Sequence, residues 1–524
     1  MPIRMRKDKS DGNSQSGRPR RRRSSASESK GVRGLGGNLV GILIYALPWL
    51  LKRPKVLAVL VVLGVVVYFF FGRDLAALPQ DGSQPSYFTG GNFDKAKYEE
   101  TEIFEPLADN IKNPLPTKVS LLEYAPSRLN QGRQGSCVAW ASAYAARTIL
   151  EARRTGNSPN SVRFSPSFMY NQISTDHYNC QGSYISLAMN NMLNQGAVAY
   201  SDFKYDPSSC SRKPTSSLKR KANKYKINGF QRLTEDGQSG TAEMLAIKQN
   251  LAEGSPVIIG MMVGGTFMSD MNGRDLWEPT DLDYDQNEFG GHAMCVIGYD
   301  DYMAGGSFQL MNSWGEQWGE QGICWIRYSD FRYFNVESYG VYPMGNANDV
   351  AQKTFSGSFA LELNSGAKTI VLKHQEGIYF ETVGKLSSND KFKVEFTNNI
   401  ECYTYIFGKE MDGSAYVLFP YTQKHSPYCG VTGTRLFPRD YSMQADDLGK
   451  KDKIAVLITK EPIDYNDMNN RINSGKAKTF EERVEIAMAG KYDNNVRFSG
   501  TKMISFEGST SKEKDIVFVI GVKK

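Results

Sequence analysis

Residues 131–140 read Gln-Gly-Arg-Gln-Gly-Ser-Cys-Val-Ala-Trp, and they decide how the middle of the chain folds. A glycine-rich approach changes abruptly into an alanine-rich apolar run, Ala139 to Ala152, with few helix breakers. This pattern predicts a buried helix that begins near Ser136 and ends by Gly156. Cys137 then lies at a helix N-terminus, where free N–H groups and the helix dipole favour the nucleophilic thiolate. A buried structural cysteine is the alternative that this stretch alone leaves open.

Two later stretches contain groups that would activate such a thiol. Residues 290–299, Gly-Gly-His-Ala-Met-Cys-Val-Ile-Gly-Tyr, form an extended apolar segment with His292 at its entry. Residues 309–319, Gln-Leu-Met-Asn-Ser-Trp-Gly-Glu-Gln-Trp-Gly, begin as a strand and end in turns. Turn signals between the two stretches predict a hairpin, which would bring Asn312 beside His292. An imidazole facing a thiol can take its proton, and an amide can orient the ring.

The three motifs, in the order Cys, His, Asn, resemble those of the papain family of cysteine peptidases over residues 115–343. The resemblance implies that Cys137 is the nucleophile, that His292 is the general base and then acid, and that Asn312 orients the ring. It further implies that the Gln131 amide and the backbone N–H of Cys137 stabilise the oxyanion. Trp314 would shield the His–Asn pair from water.

The resemblance also implies substrate contacts and a disulfide. Gly182 and Ser183 are the nearest match to a family stretch whose backbone pairs with substrate, and Gly291 and Trp314 are expected in the same cleft. Papain relatives often cross-link the segment that Cys180 and Cys210 flank, so that pair is expected to be oxidised. We expect Cys402 and Cys429 to form a second disulfide in the last domain. No cofactor is implied, and the four histidines form no metal-ligand pattern. His177 is near Cys180, but we interpret it as a solvated loop histidine.

The N-terminal residues carry the basic charge of the chain. The 524 residues have a formal charge of +7, whereas residues 1–55 alone hold 14 Lys/Arg and 3 Asp/Glu. The remaining residues are therefore mildly acidic. The run Arg20 to Arg23 lies among polar residues that cannot form a core, which predicts a disordered cytoplasmic tail. No aromatic residues alternate with the arginines, so we do not expect nucleic-acid binding.

Residues 56–72, VLAVLVVLGVVVYFFFG, are uncharged and are flanked by Lys52–Lys55 and Arg73. We interpret them as a single transmembrane helix in the cell (cytoplasmic) membrane and residues 39–51 as a shorter interfacial segment. The positive-inside tendency then places the tail in the cytoplasm and the residues after 73 in the periplasm or outside the cell. A buried element of a soluble domain and a cleaved signal peptide are the alternatives.

Residues 73–114 are rich in Gly, Pro and polar residues, which predicts a linker with a short helix near Lys95–Tyr98. Papain relatives often carry a long helical pro-segment that blocks the cleft. No stretch of this chain has the length and periodicity of such a segment. Either latency is controlled in another way, or the enzyme is always competent.

The expected fold is α+β with two domains. The two-lobed domain, residues 115–345, has a helical half followed by a strand-rich half, and the resemblance implies a cleft between them. The β domain, residues 355–524, shows repeated short strands interrupted by one helix at Thr479–Ala489, which predicts a β-sandwich. It is similar to a bacterial accessory domain of unknown function. Aromatic residues on its strands would either pack in the sandwich or form a face for a protein partner: Tyr403, Tyr405, Tyr416 and Phe419.

These observations lead to one functional hypothesis and two rivals. The hypothesis is a membrane-anchored papain-like cysteine endopeptidase that acts on peptide or protein substrates through an acyl-enzyme and needs no cofactor. The first rival is a transpeptidase or amidase that uses the same three residues on a different acyl substrate. The second is a non-catalytic surface binding protein, in which the two-lobed domain is a scaffold.

Overall fold

The computed structural model describes residues 3–7, 87–108, 111–234, 240–348, 354–364, 368–439, 441–445 and 447–524. The apolar stretches 39–51 and 56–72 lie outside these ranges. Within these ranges, no helix combines the length and the apolar character that a membrane crossing requires.

The helix that starts at Cys137 organises the helical lobe and confirms the sequence prediction. It runs as an α-helical turn over Cys137–Ala139, a π-helical stretch over Trp140–Ala146 and an α-helix over Arg147–Thr155. Gly156 ends it with a φ of 68°, a left-handed conformation that glycine adopts without steric cost. Further α-helices in this domain are Pro159–Val162, Pro166–Ile173, Ile185–Asn194, Ser216–Ala222, Gly240–Ala252, Gly265–Ser269 and Tyr328–Phe334. Short 3₁₀ turns cover Leu122–Tyr124, Asn223–Tyr225, Asp283–Asp285 and Met303–Gly305.

The second lobe is built on a mixed sheet that carries the predicted hairpin. The strand Gly290–Asp300 pairs antiparallel with Ser307–Met311, so Cys295 lies opposite Met311, the residue before Asn312. In spatial order the sheet contains Phe230–Arg232, Asn335–Val341, Val257–Val263, Gly290–Asp300, Ser307–Met311, Ile323–Arg327 and Leu276–Trp277. Lys118–Ser120 pairs with Gly290–Asp300. The Cys137 helix packs against this sheet through a common core in which Cys137, Ala139, Ile259 and Val296 are buried.

The predicted disulfide between Cys180 and Cys210 is present. It closes a loop of the helical lobe and fixes the stretch that leads into Gly182 and Ser183. The carbonyl of Cys180 accepts a hydrogen bond from the Gly135 N–H (3.1 Å), two residues before Cys137. The cross-link therefore supports the approach to the helix as well as its own loop.

The β domain is a sandwich of two sheets, as the strand pattern predicted. Phe359 of one sheet stacks on Phe518 of the other, with ring centroids 3.5 Å apart. The first sheet contains, in spatial order, Ile3–Lys7, Tyr441–Ala445, Lys391–Asn398, Phe355–Leu363, Ile504–Gly508 and Arg497–Ser499, with Lys368–Ile370 and Gly433–Phe437 paired at its side. The second contains Leu372–His374, Tyr379–Thr382, Ile516–Lys523, Lys451–Thr459, Cys402–Lys409 and Ala415–Phe419, with Tyr428–Cys429 paired to Cys402–Lys409.

Details of the β domain differ from the sequence prediction. Its helical layer contains Tyr465–Ser474 in addition to Phe480–Ala487, and Asp464 caps the first of these. Tyr405 and Phe419 are buried, so both pack inside the domain. Ile3–Lys7 pairs antiparallel with Tyr441–Ala445, where we expected an unstructured tail. The alternation of Ile3 and Met5 with basic residues has the period of a strand.

The predicted second disulfide was wrong. Cys402 and Cys429 lie directly opposite each other on antiparallel strands, but both are free, buried thiols. The Cys429 thiol has hydrogen-bond partners of its own: its sulfur lies 3.5 Å from Thr404 Oγ1 and 3.8 Å from the carbonyl oxygen of Pro427.

Residues 87–108 are packed against both domains, whereas we expected a linker. The short helix Lys95–Glu99 confirms the prediction near Lys95–Tyr98, and Asp94 caps it by accepting from the N–H groups of Ala96 and Lys97. Tyr98 is buried, and its hydroxyl donates to the carbonyl of Ser338 (3.0 Å) in the strand-rich lobe. This segment leads directly to the predicted cleft.

The Cys180–Cys210 cross-link should stabilise the two-lobed domain measurably. It spans 30 residues, and removing it by replacing both cysteines with alanine should lower the free energy of unfolding by about 3–4 kcal/mol, since a cross-link of this length restricts the unfolded chain. Urea unfolding followed by tryptophan fluorescence measures this domain selectively, because the β domain contains no tryptophan. Reductant should lower the midpoint of the wild type to that of the double variant and leave the variant unchanged. Equal midpoints with and without reductant would contradict the prediction.

Candidate active site

His292 and Asn312 form a hydrogen-bonded pair at the mouth of the predicted hairpin. The ring Nε2 of His292 lies 2.8 Å from Oδ1 of Asn312, which also accepts from the N–H of Ser313 (2.7 Å). Because an amide oxygen is an acceptor, Nε2 must carry the proton, and Nδ1 of the neutral ring is then the basic nitrogen. Nδ1 is buried and has no hydrogen-bond partner among the described residues. The ring is thus oriented to receive a proton.

Cys137 is held next to this pair across the two lobes. Its sulfur accepts a hydrogen bond from the N–H of Ala293 (3.4 Å), the residue that follows His292. Cys137 and His292 are both fully buried. The helix and the hairpin therefore bring together two residues that are 155 positions apart in sequence.

Trp314 covers the imidazole, as the motif predicted. Its ring stacks on His292 with centroids 4.4 Å apart and an interplanar angle of 27°. Trp314 itself is buried, and it also contacts Trp318 edge-on. This aromatic layer keeps water away from the hydrogen bond between His292 and Asn312.

Gln131 presents a fixed amide N–H to the cleft. Its Oε1 accepts from the hydroxyl of Ser313 (2.6 Å), which defines the orientation of the amide. Its Nε2 donates to the carbonyl of Gln134 (2.8 Å) and to the carbonyl of Phe88 (3.0 Å). The second contact shows that this donor can bind the carbonyl of a peptide lying in the cleft.

The peptide in the cleft belongs to the chain itself. Residues 87–93, Tyr-Phe-Thr-Gly-Gly-Asn-Phe, which we call the covering segment, run through the site in extended form. The N–H of Gly90 donates to the carbonyl of Gly291 (3.1 Å), and its carbonyl accepts from the N–H of Ser183 (2.9 Å). Gly91 and Asn92 continue as a strand parallel to Ser183–Tyr184. The carbonyl of Phe88 accepts from Nε1 of Trp314 (2.9 Å), and Tyr87 stacks on the Trp314 ring (4.8 Å between centroids).

The passage is too narrow for a side chain at its centre. A Cβ on Gly90 would lie 2.4 Å from the carbonyl group of Gly135, and one on Gly91 would lie 3.1 Å from the backbone nitrogen of His292. A Cβ on Gly182 would meet the carbonyl oxygen of Gly90 at 2.3 Å. Glycines on both sides thus let two backbones approach each other closely.

Phe93 occupies the end of the passage where glycines again leave room. A Cβ on Gly260 would lie 2.4 Å from the Phe93 ring, and a Cβ on Gly291 would lie 2.9 Å from it. The cleft therefore holds a backbone at its centre and one aromatic ring at this end.

The structure brings the sequence-predicted site residues to one place. Asn312 contacts His292, the N–H that follows His292 contacts the Cys137 sulfur, and Gln131 is joined to this group through Ser313. The predicted substrate contacts Gly182, Ser183, Gly291 and Trp314 all touch the covering segment. Their functional roles remain predictions. Sequence reasoning missed the covering segment, although two adjacent glycines between aromatic residues were a usable signal.

Burial determines the charge state of the covered site. It raises the pKa of the Cys137 thiol to about 12, because a thiolate there would lose its hydration, although backbone N–H groups near the sulfur partly offset this. It lowers the pKa of His292 to about 4 for the same reason, against a smaller opposite effect of the Asn312 hydrogen bond. At neutral pH the covered site thus contains a neutral thiol and a neutral imidazole. This differs from the thiolate that the helix N-terminus led us to expect.

Comparison with protein families identifies the family to which the two-lobed domain belongs. Residues 123–344 match the model described as papain family cysteine protease. This segment is a papain-family domain. Residues 385–462 match a domain of unknown function, DUF4384, in agreement with the accessory-domain resemblance.

Individual relatives of the papain-family domain are distant. An uncharacterized peptidase C1-like protein of Acanthamoeba polyphaga mimivirus is 28% identical over 210 residues, which is 39% of this chain and 65% of that protein. Cathepsin K of Mus musculus is 26% identical over 220 residues, 41% of this chain and 60% of cathepsin K. The match therefore spans less than two thirds of the length of these relatives. Among solved structures, xylellain, a cysteine protease from Xylella fastidiosa, is 23% identical, with a TM-score of 0.41 over 51% of this chain and 98% of xylellain.

Enlarging Gly90 should open the covered papain-family site. In Gly90→Leu the new side chain meets the backbone of Gly135, and overpacking of this kind costs about 1–3 kcal/mol, so alkylation of Cys137 by iodoacetamide should accelerate roughly ten- to hundredfold. Peptide mapping would assign the alkylated residue.

Gly384→Leu is the matched control, because a Cβ at Gly384 meets nothing within 4 Å and the residue lies in the β domain. It should react at the wild-type rate. A wild-type chain whose Cys137 already reacts as fast as Gly90→Leu would show that the segment does not cover the sulfur.

Proposed function

We propose that the protein is a membrane-anchored papain-like cysteine endopeptidase that hydrolyses peptide bonds through Cys137, His292 and Asn312. The observation that carries the proposal is a peptide backbone lying in the site. The carbonyl of Phe88 accepts from Gln131 Nε2, beside a buried sulfur and an oriented imidazole with a free Nδ1. The papain-family match of residues 123–344 supports the same chemistry.

The proposed reaction follows from these contacts once a substrate replaces the covering segment. Cys137 transfers its proton to Nδ1 of His292, and the sulfur attacks the peptide carbonyl carbon. The developing oxyanion accepts hydrogen bonds from Gln131 Nε2 and from the backbone N–H of Cys137. His292 then protonates the leaving nitrogen as the C–N bond breaks, which leaves an acyl-enzyme. Water gives a proton to Nδ1 and its oxygen attacks the thioester carbonyl; the C–S bond breaks to release the acid product, and His292 returns the proton to the sulfur.

The course of the covering segment supports cleavage within a polypeptide. Tyr87 and Phe93 contact the domain on opposite sides of the narrow glycine passage, through Trp314 and Gly260 respectively. A cleft that holds chain on both sides of its centre can accept the interior of a peptide. We therefore assign endopeptidase activity on extended peptide or protein substrates, bound by backbone pairing with Ser183 and Gly291.

The membrane anchor is a separate part of the proposal. It rests on the uncharged residues 56–72 and their basic flank, and it would place the papain-family domain outside the cytoplasm, in the periplasm or at the cell exterior. A single crossing would put Ile3 and Tyr441 on opposite sides of the membrane. The strand pair of Ile3–Lys7 with Tyr441–Ala445 and a single crossing thus exclude each other within one molecule.

Replacing the reacting groups should abolish hydrolysis of a fluorogenic peptide, measured in the Gly90→Leu background so that the cleft is open. Cys137→Ala should remove all turnover, and His292→Ala should lower kcat/KM at least about a thousandfold, since it deletes the proton acceptor and donor. Gln131→Ala should lower kcat/KM roughly a hundredfold, because it removes one donor to the oxyanion.

Cys324→Ala is the control, because Cys324 is a buried free thiol in the same domain and lies outside the site. It should retain full activity. Turnover that survives Cys137→Ala would refute the proposed nucleophile. A product linked to an added amine, in place of the free acid, would favour the transpeptidase alternative.

A topology measurement tests the anchor. Protease added to spheroplasts, from which any outer membrane has been removed, should cleave a tag at the C-terminus and spare a tag at the N-terminus, because a single crossing at residues 56–72 separates the two ends. Detergent should then expose both tags. If both tags are cleaved, or both are spared, in spheroplasts, the single crossing is wrong and the strand pair of Ile3–Lys7 with Tyr441–Ala445 is favoured.

A further inference from the structure

The covering segment continues into a stretch that lies between the two domains. Residues 100–108, which we call the seam segment, follow the helix Lys95–Glu99 directly. Ile103, Phe104, Glu105 and Leu107 are buried in this position. About ten residues separate the centre of the seam segment at Ile103 from Phe93 in the cleft, so the position of one restricts the position of the other.

One edge of the seam segment pairs with the papain-family domain. The backbone N–H of Arg232 donates to the carbonyl of Glu102 (2.9 Å), and the N–H of Phe104 donates to the carbonyl of Arg232 (3.0 Å). The Arg232 side chain donates from Nε to the carbonyl of Thr101 (2.9 Å). On this side, the seam segment is a short added strand beside Phe230–Arg232.

The other edge pairs with the β domain. The N–H of Ile103 donates to the carbonyl of Lys424 (2.6 Å), and the carbonyl of Ile103 accepts from the N–H of Ser426 (3.1 Å). Ile103 therefore forms bridges on both sides at once, to Arg232 and to His425. Without the β domain the seam segment would be a short unsupported edge strand, which is only marginally stable.

The β domain also fixes the C-terminal end of the seam segment. Nε of Arg435 donates to the carbonyl of Glu105 (3.2 Å), and the N–H of Ala108 donates to the carbonyl of Thr434 (2.8 Å). Asn113 then exchanges two hydrogen bonds with the backbone of Thr434, accepting at 2.7 Å and donating at 2.9 Å.

An ion-pair cluster lies beside these backbone bonds. Nζ of Lys112 lies 2.7 Å from Glu362 and 2.9 Å from Glu395, and both carboxylates belong to strands of the β domain. Both glutamate side chains are at most one tenth exposed. A pair in such surroundings is strongly destabilised when its cationic partner is removed or reversed.

We propose that the β domain is an intramolecular clamp: it pairs its backbone with the seam segment and thereby keeps the covering segment in the cleft of the papain-family domain. This inference rests on the proposed peptidase function, because it assigns a regulation to that site. The backbone hydrogen bonds and ion pairs to the β domain supply the binding energy, and the short tether gives the covering segment a high local concentration at the cleft. Loss of the clamp lets the covering segment leave and exposes Cys137.

Substitutions in the residues that join residues 100–113 to the β domain test the proposed clamp without altering the cleft. Lys112→Glu combined with Asn113→Ala places three carboxylates together and removes the bonds to Thr434, while the direct contact of Tyr342 with Tyr428 (3.8 Å between ring centroids) is untouched. Ile103→Pro is a second variant, which deletes the N–H that donates to Lys424. Both should accelerate alkylation of Cys137 by iodoacetamide at least about tenfold in the full chain.

Lys453→Glu is the matched control, since it makes the same charge change inside the β domain, where Lys453 pairs with Glu481 (2.5 Å) away from the seam. It should react at the wild-type rate. Hydrogen exchange provides a second readout: the amides of Gly90 and Ser183 should exchange faster in both clamp variants, and the Lys453→Glu chain should match the wild type.

The outcomes separate this inference from the proposed function. Clamp variants with wild-type alkylation and exchange, alongside a fast Gly90→Leu, would overturn the clamp and leave the peptidase proposal intact. An equal acceleration in Lys453→Glu would also overturn it, because general instability of the β domain would then be the cause. Rapid alkylation in the clamp variants supports the clamp even if no peptide is hydrolysed, in which case only the peptidase proposal fails.

Discussion

Exclusion of water from the sulfur of Cys137 and the ring of His292 is the constraint on which the rest of the structure depends. Burial favours the neutral form of each group, and so it raises the pKa of the thiol to about 12 and lowers the pKa of the imidazole to about 4. A reactive pair needs a proton to move from one to the other, which creates two charges. The same assembled geometry is therefore chemically quiet while it is dry and becomes competent when the covering segment leaves.

The covering segment, Trp314 and the seam segment together keep water out of the site. Glycines 90 and 91 let the backbone of the covering segment pass where no side chain fits, and Trp314 covers the ring from the side. The seam segment ties this arrangement to the β domain through backbone hydrogen bonds on both of its edges. A domain that carries no assignable chemistry thus acquires a mechanical role. In the proposed clamp, a short extended segment and a folded domain together keep the site covered.

The sequence predicted those parts of the site that depend on recognisable side chains. The helix from Cys137 to its glycine stop, the hairpin joining His292 to Asn312, and the Cys180–Cys210 cross-link each have a residue-level signature. The covering segment was interpreted as part of a linker because its contacts are made mainly by backbone groups, which leave little trace in composition. The helix Tyr465–Ser474 was missed because its sequence is polar and it buries only Met468 and Ile472, so its stability comes from packing against the rest of the domain. Cys402 and Cys429 were correctly expected to be neighbours, yet proximity alone does not decide oxidation.

The covering segment keeps the sulfur of Cys137 uncharged. The ultraviolet absorbance of a thiolate tests it directly, as the difference between the full chain and Cys137→Ala during a pH titration. We expect no thiolate signal from Cys137 in the wild type at neutral pH, and a signal at neutral pH once Gly90→Leu has opened the site. A full thiolate signal from the covered wild-type chain at neutral pH would contradict it.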